Sequence, residues 1–286
     1  MIERLAWVTA KDARGRDDDE PIAVAALLRA GLRVDVVDWD DGDAAWSDYD
    51  RVVLRSTWDY PQRLADFLAW LDSVQDVTDV VNPAPMVRWN LDKHYLADLD
   101  RAGVPVIPTT FVERDGTASF PDGGFVVKPA VGAGSRDVAS YGPDEHEAAA
   151  AHVERPQSRG ESVLIQPLVE SVPADGEWPL IFFGGGYSHA ANKRVVLPRA
   201  NEVDDLFVAE VNSAHSATPG QVETARAALD VVVGRFGVPA YARVDLVRVG
   251  QDDHQVLEVE LIEPSLFLPQ AGPAAVERLV AALRTR

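Results

Sequence analysis

The sequence predicts an α/β fold in which a small parallel α/β unit precedes mixed α+β subdomains. Three observations carry this. Short apolar runs alternate with helical patterns over the first 83 residues, the order that builds a parallel sheet. Strand-like segments then crowd residues 125–196 with one helix among them. Finally, a long helical pattern and two alternating strands fill residues 219–263. At 286 residues the chain is about twice the ordinary domain size, which leaves room for several such units.

RLAWVT (4–9) reads as a short buried strand. Asp18, Asp19 and Glu20 precede an amphipathic helix through Leu28, and Gly31 stops it. LRVDVVDW (32–39) and RVVLRST (51–57) are the next strands. Pro61 is expected to open a helix whose apolar side holds Phe67, Leu68 and Leu71, and VTDVVNP (77–83) reads as a fourth strand. A new unit starts near residue 86, where Asn90 is expected to cap a helix running to about Arg101 and ending at Gly103. FVVKP (125–129), RDVAS (136–140), SVLIQPLV (162–169), WPLIFF (178–183) and YSHAANKRVV (187–196) follow as strands, with a helix over about 144–154. The remainder reads as a helix from Pro219 to Phe236, strands over 240–249 and 254–263, and a closing helix over 273–284.

Composition narrows the function classes. With 27 basic against 46 acidic residues the net charge is −19, a field that repels phosphate backbones and anionic lipid and argues against nucleic-acid and membrane partners. There is no Cys, hence no disulfide, Cys zinc site or Cys nucleophile. No apolar run approaches the ~18 residues of a membrane span. The opening MIERLAWVTA lacks a signal-peptide layout, so a soluble, cytoplasmic protein is expected. The basic residues are 23 Arg and only 4 Lys, at Lys11, Lys93, Lys128 and Lys193. Where arginine has replaced lysine almost everywhere, the remaining lysines mark places that need a compact point charge; codon bias is the plainer explanation.

GFVVKPAVGAGSRDV (124–138) carries the strongest local signal. An apolar strand delivers Lys128, and Gly132, Ala133, Gly134 and Ser135 follow as a turn whose N–H groups suit phosphate. The lysine precedes the glycines, so this is no Walker motif, and the turn leads into a strand, so it is no dinucleotide fingerprint. The competing explanation is a Gly-rich hairpin with a surface lysine. In ARVDLV (242–247) and LEVELIEP (257–264), period-two alternation puts Arg243 and Asp245 on one face of a strand, and Glu258 and Glu260 on one face of the next. If the strands pair, the carboxylates converge, at a cost that a divalent cation relieves. Oxygen donors without a nearby Cys/His pair indicate Mg²⁺ or Mn²⁺. Glu263 is a further ligand or a substrate contact; an exposed acidic face is the alternative. Arg55, Ser56, Thr57, Trp58, Asp59 and Tyr60 lie at the carboxyl end of a parallel strand, where open sheets place ligands. There Arg55, Ser56, Thr57 and Asp59 are candidates for an amino-acid-like substrate, against packing at a domain junction. The six His show no metal-binding spacing.

In this order of motifs the chain resembles the ATP-grasp superfamily of carboxylate–amine ligases over its whole length. The resemblance implies a pre-ATP-grasp domain over 1–87, a central subdomain over 88–169 and a C-terminal subdomain over 170–286, the last two clasping ATP. It implies a nucleotide lysine at Lys93, in NLDKHYL, and a second at Lys128 before a Gly-rich lid. It also implies a hinge whose backbone meets adenine at Gln166, Leu168 and Val169, a ribose-binding acid at Glu177, and a phosphate-binding residue at Lys193 or Arg194. Metal ligands fall at Asp245, Glu258 and Glu260, with Glu260 standing where the superfamily usually has Asn. STWDYPQR (56–63), NPAPMVRWNLDKHYL (82–96) and ELIEPSLF (260–267) resemble more narrowly the D-cycloserine-forming and glutathione-synthetase-like ligases.

The implied reaction is attack of a substrate carboxylate on the γ-phosphate of ATP, then displacement of phosphate from the acyl phosphate by a nitrogen nucleophile. Arg243 and Arg194, with Lys193, would steady the oxyanion and phosphate. The expected partners are a small-molecule carboxylate and an amine, and no motif sets the oligomeric state, a homodimer being left open. A small-molecule kinase on the same scaffold, or a nucleotide sensor without chemistry, are the rival readings.

Overall fold

A computed structural model describes residues 2–134, 136–195, 210–251 and 253–285, which build three sheets. The first comprises β1 (Arg4–Thr9), α1 (Glu20–Arg29), β2 (Arg33–Asp38), β3 (Arg51–Ser56), α2 (Leu64–Gln75) and β4 (Asp79–Val81). Its strands are parallel in the order β2-β1-β3-β4. The two central strands, β1 and β3, are buried on both faces, which suits their largely apolar sequences. Ala6, Val8, Val52 and Leu54 pack with Phe67 and Leu71 of α2. Leu5, Trp7 and Val53 join Ala23 and Leu27 of α1 on the other side.

Two helix starts differ from the sequence expectation. Tyr60–Gln62 form a 3₁₀ turn, and α2 begins only at Leu64. The turn buries the Tyr60 ring against Phe67, with centroids 5.0 Å apart. Asn90 caps no helix. It lies near the end of α3 (Ala84–Leu91), and α4 (Tyr95–Arg101) starts after a break. The Asn90 amide instead donates to the Val259 carbonyl at 2.8 Å and accepts from the Leu261 N–H at 2.7 Å. Asp92 is extended (φ −106, ψ 120), and its carboxylate accepts the His94 N–H at 3.0 Å. The Lys93 N–H donates to the Ala130 carbonyl at 2.9 Å, so the break ties Lys93 to the second sheet.

That sheet holds β5 (Thr110–Val112), β6 (Phe125–Pro129), β7 (Ala139–Tyr141) and, after α5 (His146–Ser158), β8 (Val163–Pro167). Its order is β5-β8-β6-β7, all antiparallel. A single turn, α6 (Val172–Asp175), leads to β9 (Trp178–Phe183), β10 (Gly186–Val195), β11 (Glu210–His215), α7 (Pro219–Phe236), β12 (Tyr241–Val249), β13 (Asp253–Glu260) and α8 (Pro273–Arg284). These strands form an antiparallel sheet in the order β11-β10-β9-β12-β13. Thr218 and Gln221 close a capping box at the start of α7, and Gly237 (φ +87) ends it, which fixes the helix over the range expected from the sequence. Met86, Tyr95 and Leu99 pack with Leu229, Val244 and Val259, so α3 and α4 belong to the core of the third sheet. Ile181, Phe183, Leu279 and Leu283 share a core with Leu5 and Trp7. Through that core the first sheet is fixed against the third. Among the described residues no helix is long and apolar enough to cross a membrane.

Candidate active site

One cavity of about 330 Å³ lies where the three sheets meet. Its floor is the pair β12 and β13. Antiparallel register sets Arg243 opposite Glu260 and Asp245 opposite Glu258, so the alternation read from the sequence brings these four together. The Arg243 guanidinium grips Asp245 with two hydrogen bonds of 2.8 Å each and donates a third to Glu260. Such planar, two-bond pairing suits Arg and not Lys.

The three candidate lysines converge on this floor. The Lys93 ammonium sits 2.8 Å from a Glu258 oxygen and donates to the Gly132 carbonyl at 3.2 Å. Lys193 pairs with Glu177 at 2.9 Å and lies 4.0 Å from Asp245. Lys128 is buried and makes no hydrogen bond or ion pair with a described residue. Burial, with Lys93 and Lys193 nearby, holds its ammonium below the ordinary lysine value despite Glu258 and Glu177. A buried cation without a bonded partner is costly unless an anion arrives. Gly132 and Gly134 line the cavity beside it, and Gly134 has φ +65, a conformation that suits glycine. Ser135 falls outside the described residues.

The carboxylates divide by their neighbours. Burial pushes Glu258 up, but Lys93 and Lys128 more than offset it and hold its carboxyl at about 2. Burial pushes Glu260 up to about 7, with Glu258 and Asp245 adding to it against Arg243. Among the described residues no three His, Cys, Asp or Glu side chains form a ready metal cage. The donor set nevertheless fits a hard divalent cation. Asp245, Glu258 and Glu260 supply only carboxylate oxygens from facing register positions, the donor type such cations take.

Away from the floor the cavity has an apolar end, lined by Val126, Val138, Leu168, Val169 and Leu257 together with Gln166. The Leu168 N–H donates to the Gly124 carbonyl at 2.8 Å, and the Gln166 amide donates to Thr109 Oγ1 at 2.9 Å. Arg194 stands apart. Alternation along β10 leaves it exposed, its side chain bonded among the described residues only to Asn192 at 3.3 Å, and outside the cavity lining.

At the opposite end, Trp58 and Tyr60 reach the cavity, while Arg55, Ser56, Thr57 and Asp59 do not. Ser56 Oγ bonds Thr9 Oγ1 at 2.7 Å, the Thr57 hydroxyl is buried without a bond, and Asp59 accepts from the Trp39 indole at 2.7 Å. Arg55 donates to the Pro264 carbonyl at 2.5 Å and lies 3.7 Å from Asp19. Asp19, which the sequence pattern placed simply ahead of a helix, accepts the N–H groups of Leu266 and Leu268 at 2.5 and 2.7 Å. These contacts fasten the turn that follows β13 and carries Glu263 into the cavity. Asp17, Arg136, Phe267 and Gln270 complete this end and were not singled out by any sequence motif.

A family model for the N-terminal domain of the D-cycloserine synthetase DcsG matches residues 5–82. The cycloserine biosynthesis protein DcsG of Streptomyces lavendulae is 41% identical over 295 residues, covering 99% of this chain and 98% of that protein. The crystal structure of D-cycloserine synthetase DcsG superposes with a TM-score of 0.87 at 39% identity, covering 98% of each chain. D-alanine–D-alanine ligase of Bacillus anthracis (TM-score 0.72, 16% identity, 98% and 96% coverage) shares the fold. So does the ATP-grasp ligase PsnB (TM-score 0.63, 18% identity, 99% and 100% coverage). The chain belongs to the D-cycloserine synthetase family of ATP-grasp ligases.

Proposed function

We propose that this ATP-dependent ligase activates the carboxylate of a small amino-acid-like substrate as an acyl phosphate. A nitrogen of the same molecule then closes a ring. The single observation that carries this reading is the convergence of Lys93, Lys128, Lys193 and Arg243 on one cavity, with Lys128 bonded to no anion among the described residues. Ring closure is the finer part, and it rests on the cycloserine product in the names of relatives about 40% identical over the full length. The need for ATP suits a cytoplasmic enzyme.

In this reading adenine occupies the apolar end against Leu168 and Val169, and Glu177 takes the ribose hydroxyls. Lys93 and Lys128 meet the β- and γ-phosphates, and the backbone at Gly132 and Gly134 closes over them. Asp245, Glu258 and Glu260 would hold Mg²⁺ or Mn²⁺, which when bound offsets phosphate charge. Arg243 stands where charge develops on the acyl oxygen, with its orientation fixed in advance by Asp245. The substrate carboxylate, ionised at neutral pH, attacks the γ-phosphorus without help from a base.

The test supplies ATP, Mg²⁺ and D-2-amino-3-(aminooxy)propanoate, the open-chain form of cycloserine. The expected result is ADP, phosphate and the cyclic product by mass. A phosphorylated substrate, or no ADP, would overturn the reading.

A further inference from the structure

The second half of the proposed reaction needs something the first does not: a place for a proton. When nitrogen attacks the acyl carbon it becomes positively charged, and it must shed a proton before the tetrahedral adduct collapses to an amide. We propose that Glu263 is the catalytic residue that accepts this proton, with Tyr60 and Trp58 positioning it. The inference rests on the ligase reading above.

Of the buried or half-buried carboxylates around the cavity, most are committed. Glu258 is paired with Lys93, Asp245 and Glu260 with Arg243, Glu177 with Lys193, and Asp19 with two backbone N–H groups and, at 3.7 Å, with Arg55. Asp17 lies on the loop ahead of α1, where it accepts the Asp19 N–H at 3.0 Å. Glu263 lines the cavity, is 9% exposed and has no ion pair among the described residues. Its turn is held rigidly. The Trp58 indole donates to its carbonyl at 3.3 Å, Arg55 holds the next carbonyl, and Tyr60 bonds its carboxylate.

The placement suits the task. Glu263 is close enough to Lys93, Glu258 and Glu260 to feel their charges, which puts it beside the phosphate-transfer end. Glu260 and Glu258 face it from β13, Lys93 from the α3–α4 break, Tyr60 from the turn after β3, and Tyr241 from β12. Burial, with Glu260 adding to it against Tyr60 and Lys93, pushes its carboxyl up to about 8, so the ionised form that accepts the proton is populated as pH rises toward that value, and the proton once taken is held firmly. In the step itself, the nitrogen lone pair forms the C–N bond and the N–H proton passes to a Glu263 oxygen. The adduct then collapses, breaking the acyl C–O bond and releasing phosphate with that electron pair.

Parent, Glu263→Gln and Glu263→Asp proteins are compared with ATP, Mg²⁺ and D-2-amino-3-(aminooxy)propanoate, with and without hydroxylamine. Hydroxylamine is uncharged near neutral pH and present in excess, so it traps the acyl phosphate as a hydroxamate with water as proton acceptor. In Glu263→Gln the ring product is expected to fall about 100-fold or more, a usual worth for a general base. Hydroxamate is expected to fall no more than about threefold, and Glu263→Asp to recover part of the ring product. Equal loss of both products in Glu263→Gln, or no loss of ring product, overturns the assignment while leaving the ligase reading intact. A folded parent that makes no ADP with this substrate overturns the ligase reading, and the assignment with it.

Discussion

The two ends of the cavity are built on opposite electrostatic plans. At the phosphate end each acid of the floor has a cation close by, and one lysine, Lys128, has no ion pair among the described residues. At the substrate end the acids Asp19 and Glu263 meet mainly N–H and hydroxyl groups, and their carboxyls are pushed up to about 6 and about 8, chiefly by burial. One end is short of an anion and the other is able to hold protons. In the proposed reaction that difference gives the site a direction: polyphosphate would enter where positive charge is spare, and a nitrogen nucleophile would pass its proton to a carboxylate that has no ion pair among the described residues.

Removing the carboxylates of the floor breaks this contrast most severely. Glu258→Gln and Asp245→Asn should lower kcat about 1000-fold or more, because neutral amides hold Mg²⁺ poorly and leave phosphate charge uncompensated. Glu258→Gln should also lower stability by about 3 kcal/mol in urea unfolding, since Lys93 loses its partner inside the cavity.

Lys128→Met tests the spare cation. ATP affinity by calorimetry should weaken about 10- to 100-fold. The melting temperature of the ligand-free protein should rise by about 2–4 °C, because a buried charge without a bonded partner is removed. A Lys128→Met protein that is both less stable and unchanged in ATP affinity would contradict the phosphate assignment.

The substrate end predicts a pH dependence. Asp19 and Glu263 have folded-state values above their unfolded ones, so the folded state binds more protons and stability declines as pH rises through that interval. For these groups the decline runs from about pH 4 to about pH 8. Glu258, lowered to about 2, contributes stability that is lost only below pH 5. Melting curves of the ligand-free protein should therefore fall by several degrees between pH 5 and pH 8, and Glu263→Gln should flatten the upper part.

The smallest effect is expected on β10, where neighbouring residues face opposite ways. Arg194→Ala should change kcat/KM by about twofold or less, as exposed substitutions usually do. Lys193→Ala, which also strips Glu177 of its partner, should cost far more.

How much of this was legible follows the same division. The phosphate end could be read because its chemistry is local. Lys128 precedes its glycines by a few residues, and Arg243, Asp245, Glu258 and Glu260 obey a two-residue period that register then brings together. Lys93 and Lys193 needed the family resemblance, since nothing local marks them. The substrate end could not be read, because its contacts join Asp19 to Leu266 and Arg55 to Pro264, more than 200 residues apart. The carboxyl end of β3 drew attention to Arg55, Ser56, Thr57 and Asp59, yet these brace the first sheet and the 263–268 turn, and the aromatic Trp58 and Tyr60 reach the cavity. Asn90 misled for a related reason. An amide favoured at helix caps is equally suited to clamping a strand edge, and only the tertiary partner decides which.

The central claim is that a carboxylate oxygen passes from substrate to phosphate. Substrate labelled with ¹⁸O in its carboxylate, turned over with ATP and Mg²⁺, should release phosphate carrying one ¹⁸O, because the acyl phosphate breaks at its carbonyl carbon. Unlabelled phosphate accompanying product formation would contradict the acyl-phosphate route.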